Sequence, residues 1–169
     1  MPESAELEQF LTGTPFFGGL GDDGLGRITR MLVERSLPSG AKVFKEGETG
    51  RSMFILVSGQ VLMARTGDSG MQVKLMRLGR GDFFGETTLI EMQPRPFTAV
   101  CETGVELLEL TSQDLYKLYK EDVKSYVMVL QNINRELCRR LRHADVRIVQ
   151  RADELQDEMT QIRPGAMRR

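Results

Sequence analysis

Phe84-Gly85-Glu86-Thr87-Thr88-Leu89-Ile90-Glu91-Met92-Gln93-Pro94-Arg95 sets a carboxylate, Glu86, and a guanidinium, Arg95, nine positions apart around a short apolar turn. Gly85 has no Cβ and lets the backbone approach a ligand closely. Thr87 and Thr88 open a stretch, 87–91, that suits one helical turn, whose first N–H groups lack intrahelical partners and carry partial positive charge. Glu86 at that entrance can accept from a sugar hydroxyl, and the planar fork of Arg95 suits phosphate oxygens. The stretch has the chemistry to hold a sugar and a phosphate together.

The flanks read as a β-protein. From 35 to 110, short apolar runs are broken by glycines, among them Gly40, Gly47, Gly50, Gly59, Gly79, Gly81 and Gly104. Many short strands at regular turn spacing predict a sandwich or jelly-roll barrel. Thr66-Gly67-Asp68-Ser69-Gly70 predicts a polar surface hairpin loop between strands at 61–64 and 73–76. Ahead of the barrel, Ala5, Leu7, Phe10 and Leu11 predict a helix over 3–13, and Leu25, Ile28, Met31 and Leu32 a second over 22–34.

Phe84 through Arg95, continued by Thr98-Ala99-Val100, resembles the phosphate-binding cassette of the cyclic nucleotide-binding domain family, which includes catabolite activator proteins. Pro38-Ser39-Gly40-Ala41, Gly47-Glu48, Ser52-Met53-Phe54-Ile55-Leu56-Val57-Ser58-Gly59 and Leu78-Gly79-Arg80-Gly81-Asp82-Phe83 resemble that family's strands and glycine turns, in the same order. The resemblance covers about 15–145. It implies a mainly β fold with flanking helices: N-terminal helices at 1–34, a jelly-roll barrel at 35–110 with the cassette at 84–98, C-terminal helices including a dimerisation helix at 111–163, and a flexible tail at 164–169. The implied ligand is cyclic AMP or cyclic GMP, with no other cofactor and no metal. Its contacts would come from Phe84, Gly85, Glu86, Thr87, Thr88, Arg95, Pro96 and Phe97.

Pro96 and Phe97 depart from the family pattern, which has small residues there and uses the backbone N–H after the arginine to hold phosphate. Proline has no N–H to give. One lost hydrogen bond toward an anion weakens binding by about tenfold or more. Two readings stay open: a nucleotide sensor with a handicapped pocket, and a degenerate dimerisation or interaction module that binds no ligand. A third is a different phosphorylated ligand stacked on Phe97.

Composition narrows the class. The 169 residues are 40% hydrophobic and carry a net charge of −1, enough for one core and too little basic surface for general nucleic-acid affinity. Cys101 and Cys138 show no metal-ligand spacing and sit in apolar patterns, which predicts buried thiols. His143, the only histidine, has no partnering cysteine, which argues against a metal or haem centre. There is no recognisable nucleophile–base set, phosphate-transfer loop or metal-spaced carboxylate cluster, so no enzyme is expected. No apolar run approaches ~18 residues and no leader pattern opens the chain, so a cytoplasmic location and no membrane contact are expected.

Thr111 or Ser112, with Asp114 nearby, predicts a helix N-cap. From Asp122 no glycine or proline occurs until Pro164, which predicts a helix of ~40 residues. Cys138, Leu141, Asp145, Ile148, Ala152, Leu155, Met159 and Ile162 alternate at spacings of three and four, a heptad seam with one acid in it. Over 126–137 the apolar stripe is expected to pack on its own barrel, and through 138–162 to pair with a second copy in a parallel homodimer. In the resembled family this helix makes the dimer and caps the nucleotide base. Matching through Arg139-Arg140-Leu141 places Ala144 and Asp145 at the capping positions. Asp145 can accept from the N1–H and N2–H of guanine; the plainer reading is a solvated acid paired with Arg142 or Arg147. Transcription factors with this domain continue into a helix-turn-helix module, which is not recognised here. Direct DNA binding is therefore not expected, and output is expected to pass to an unknown protein partner.

Overall fold

In the computed structural model of the chain the described residues run from Ser4 to Ile162, and side-chain surroundings are described from Glu6 to Glu158. The expected tail at 164–169 and the side chains of Met159 and Ile162 in the seam lie outside these. The chain opens with α1 (Ser4–Thr12), a 3-10 turn (Pro15–Phe17) and α2 (Asp22–Thr29). The second helix is shorter than the 22–34 read from the sequence. Its end is closed by a tight turn, with Met31 N–H donating to Ile28 O and Leu32 N–H to Thr29 O. The β-branched Val33 then pairs with Glu109 in a sheet, which outweighs the apolar spacing that suggested helix.

Eight strands follow: β1 (Val33–Leu37), β2 (Lys42–Phe44), β3 (Ser52–Ser58), β4 (Val61–Thr66), β5 (Gln72–Leu78), β6 (Phe83–Phe84), β7 (Thr98–Cys101) and β8 (Val105–Thr111). They form two four-stranded antiparallel sheets, ordered β1-β8-β3-β6 and β2-β7-β4-β5, the expected jelly roll. The expected hairpin joins β4 to β5 through Gly67–Gly70, where Gly67 N–H donates to Met71 O.

Side-chain alternation explains the core. Phe54 and Leu56 of β3 point into the barrel interior with Phe44, Val61, Met63, Phe84, Ala99 and Leu107, while Met53, Ile55 and Val57 between them are also buried. Both faces of β3 are thus covered, which is why it is a continuous apolar run rather than an alternating one. Consecutive Phe83 and Phe84 on β6 part company in the same way. Phe83 meets Phe16 edge to face at 5.3 Å, and Phe84 stacks on Phe54 at 5.5 Å and approaches Phe44 at 5.9 Å. Cys101 is buried, and burial pushes its thiol pKa up. Cys138 is exposed, unlike the expected core thiol.

After β8, α4 (Ser112–Glu121) begins with the expected cap. Thr111 accepts from Asp114 N–H while the Asp114 carboxylate accepts from Thr111 N–H. Asp122 breaks the helix with φ −152° and caps α5 (Val123–Ile162), a single helix of 40 residues as expected. The chain divides into two compact units after Asn132. The first holds the barrel, α4 and the start of α5, so these helical residues group with the barrel rather than with the rest of the 111–163 segment. Within it, Val129 and Asn132 are buried, and Asn132 Nδ2 donates to Phe16 O and Gly18 O, fixing α5 to the 3-10 turn. The second is the remaining helix, where Leu141, Ile148 and Leu155 are 62%, 67% and 46% exposed.

Candidate functional site

The turn after β6 is built around Gly85, whose φ of +82° only glycine adopts without strain. The expected helical turn is present as α3 (Thr87–Glu91), ended by Met92 in the left-handed region at φ 53°. Thr88 Oγ1 donates to Gly85 O at 2.9 Å and closes the loop on itself. The returning strand is clamped by its backbone: Arg95 N–H donates to Glu48 O at 2.8 Å, and Gly47 N–H to Arg95 O at 2.9 Å. Glu46 N–H donates to Thr98 Oγ1 one step further on. The turn between β2 and β3 therefore fixes where the arginine starts.

Arg95 is 4% exposed and Glu86 2%. The guanidinium of Arg95 turns inward. Its Nη1 donates to Gly85 O at 2.9 Å and Thr88 Oγ1 at 3.0 Å, and its Nη2 to Ser52 O at 2.6 Å. Its Cζ stands 4.1 Å from the ring centroid of Phe44 and 5.9 Å from that of Phe54, a cation over aromatic faces. Burial lowers the pKa of Arg95, and the carboxylates of Glu109, Glu48 and Glu86 pull the other way. Among the described residues no carboxylate forms a direct ion pair with Arg95. Two buried polar atoms here, Arg95 Nε and Thr87 Oγ1, make no hydrogen bond.

The cassette residues Gly85, Glu86, Thr87, Thr88 and Arg95 thus come together around one buried cation. Phe84 is wholly buried in the interior cluster beneath them. Pro96 is half-buried, and Phe97 is partly buried against the barrel core rather than standing clear of it. Asp145 is exposed on α5 in the second unit, as is His143.

Three groups went unnoticed in the sequence as parts of this site: Phe44, Gly50 and the carbonyl of Ser52. A Cβ on Gly50 would stand 2.3 Å from Arg95 Nε, so the arginine occupies the space that glycine leaves. A glycine 45 positions before an arginine carries no local signal of that contact.

An antiparallel jelly roll with an arginine cassette in the β6–β7 connection, followed by a long helix, is the architecture of a cyclic nucleotide-binding regulatory domain of the catabolite activator type. The chain belongs to that family: the sequence pattern of the Cyclic nucleotide-binding domain matches residues 34–122. It is similar to the Cyclic AMP receptor protein of Thermus thermophilus, 31% identical over 138 residues covering 82% of this chain and 62% of that protein. It is also similar to a cyclic nucleotide-gated potassium channel of Rhizobium etli, 40% identical over 106 residues, 63% of this chain and 28% of the channel. The crystal structure of the Thermus thermophilus catabolite activator protein superposes with a TM-score of 0.72 at 30% identity, covering 82% of this chain and 63% of that one. The chain spans less than two thirds of the length of these relatives. Among the described residues no helix is long and apolar enough to cross a membrane.

Proposed function

We propose that the protein is a dimeric cyclic nucleotide sensor, cytoplasmic and without catalysis, that signals to a protein partner through its C-terminal helix. The carrying observation is Arg95 Nε, a donor on a nine-tenths buried cation that has no acceptor among the described residues. An unused buried donor is costly, and an anionic ligand oxygen is the acceptor that suits it. The names of the relatives, a cyclic AMP receptor protein and a cyclic nucleotide-gated channel, point to the same ligand class, cyclic AMP or cyclic GMP. Phosphate at Arg95 would compete with Gly85 O, Thr88 Oγ1 and Ser52 O for the guanidinium and so move α3. A shift between two arrangements of that turn is the signal. Glu86 is assigned to the sugar hydroxyl, and Asp145 to a guanine edge if guanine is preferred.

Calorimetry with both nucleotides tests this. Binding in the micromolar range is expected, with about a tenfold gain in Pro96→Ala as the missing N–H is restored. Loss of any guanine preference is expected in Asp145→Ala. Wild type that takes up neither nucleotide would remove the sensor reading, and a Pro96→Ala variant that stays inert would show that the cavity is closed. The second reading, a dimerisation module without ligand, is favoured by one observation: both Nη atoms of Arg95 already donate to the chain itself.

The dimer rests on Leu141, Ile148 and Leu155, seven residues apart and exposed on α5. Covering such a seam takes a second helix. Ile148→Asp loses two apolar contacts per dimer and is expected to weaken association by about 100-fold or more. Sedimentation equilibrium reads the change; a wild type that stays monomeric at high concentration refutes the dimer.

A further inference from the structure

The junction of α4 and α5 carries an aromatic and basic surface that the nucleotide site does not use. Tyr116 and Tyr119 are 61% and 43% exposed, with ring centroids 6.2 Å apart. Tyr119 meets Tyr126 of α5 edge to face at 5.3 Å, so the aromatic row crosses the break at Asp122. Val123 and Val127, one helical turn apart on α5, are 53% and 44% exposed. Exposed apolar side chains gathered at one junction mark interaction sites, and tyrosine is the residue type favoured at their centres.

The rim is basic. Lys120 Nζ lies 5.4 Å and 5.7 Å from the ring centroids of Tyr116 and Tyr119. Lys117 is three residues before it on the same helix, and Lys124 three before Val127. The nearby acids are engaged by the chain itself. Glu121 pairs with Arg27 at 3.7 Å, Asp122 accepts from the N–H and Oγ of Ser125, and Asp114 closes the cap with Thr111. Among the described residues no carboxylate forms an ion pair with Lys117, Lys120 or Lys124.

We propose that this surface docks an acidic amphipathic segment of a partner protein, the tyrosines and valines taking its apolar side chains and the three lysines its carboxylates. Charge complementarity decides the occupant. A second copy seated by two-fold symmetry would set lysine against lysine. Three cations in a chain of net charge −1 are thin for nucleic acid. The inference supplies the partner's chemistry for the proposed function and rests on that reading for there being a partner, but not on nucleotide binding.

The test is an NMR titration of the isotope-labelled full chain with an amphipathic helical peptide bearing leucines on one face and glutamates on the other. Its lysine-for-glutamate twin, a single-stranded RNA oligonucleotide and anionic vesicles are titrated in parallel. Saturable shifts confined to the Tyr116 to Val127 region are expected with the acidic peptide alone, weakened about tenfold in Tyr119→Ala and in Lys120→Glu and by added salt. The proposal is overturned if the basic twin, RNA or vesicles occupy the surface as well as the acidic peptide does. Shifts elsewhere, no shifts, or self-association through this surface also overturn it. Cyclic nucleotide titrated into the same sample reads the sensor proposal separately, so the two can fail independently.

Discussion

Arg95→Ala is expected to cost the barrel about 3–5 kcal/mol, apart from any effect on the proposed nucleotide binding. The loss is larger than for an exposed ligand-binding arginine because this guanidinium is part of the core. Ser52 O loses its 2.6 Å donor, and Gly85 O loses Arg95 Nη1 while keeping Thr88 Oγ1. The buried carboxylate of Glu86 loses the cation whose field it shares. The ring of Phe44 loses the group stacked 4.1 Å from its centroid and gains a void. Each hydrogen bond to a charged group is worth about 1.5–3 kcal/mol, so relaxation of the loop has to recover part of the sum. In a chain of this size about 3 kcal/mol lowers the melting temperature by about 6–12 °C. Thermal and denaturant unfolding measure it. Should Arg95→Ala unfold within about 1 kcal/mol of wild type, the arginine is a ligand group only and the inward contacts carry no stability.

The inward packing of Arg95 marks the limit of what the chain discloses as a string. Short-range features were legible because their cause is local. The capping residues Thr111 and Asp114 lie three apart, the turn glycines sit between strand-length apolar runs, and α3 spans the expected 87–91. The 40-residue α5 followed from an absence of breakers. The second helix was overextended because Met31 and Leu32 keep helical spacing while the pairing of Val33 with Glu109, 76 residues away, ends it. Cys138 is exposed where the sequence pattern predicts a core thiol, because an apolar helical stripe looks the same whether the chain covers it or leaves it exposed. In the site, Glu86 and Arg95 could be picked out by charge and spacing. The inward turn of the guanidinium could not, because it depends on space at Gly50, on the Phe44 ring and on a strand carbonyl, three groups brought together only by folding.

Gly50→Ala isolates that contact. No positive φ constrains Gly50, so the backbone accepts alanine, but its Cβ would lie 2.3 Å from Arg95 Nε, 2.5 Å from Cζ and 2.9 Å from Nη2. The guanidinium has to leave, giving up its three bonds and its place over Phe44. A stability loss of about 2–3 kcal/mol and a nucleotide affinity at least about 100-fold lower are expected together. Gly59→Ala is the contrast. There φ is +87° and the added Cβ meets the backbone oxygen of Gly104 at 2.3 Å, so the barrel suffers while the cassette, distant in sequence, keeps its affinity in the folded fraction. The decisive measurement is the double-mutant cycle. With Arg95→Ala already made, the three atoms nearest the added Cβ are gone and Gly50→Ala reduces the freedom of the unfolded chain, so it is expected to be neutral or stabilising by a few tenths of a kcal/mol. The coupling is then about 2–3 kcal/mol, at the upper end for neighbouring residues. Additive losses in the cycle, read by urea unfolding, would mean that Gly50 acts through its own backbone and that the arginine is free to move aside.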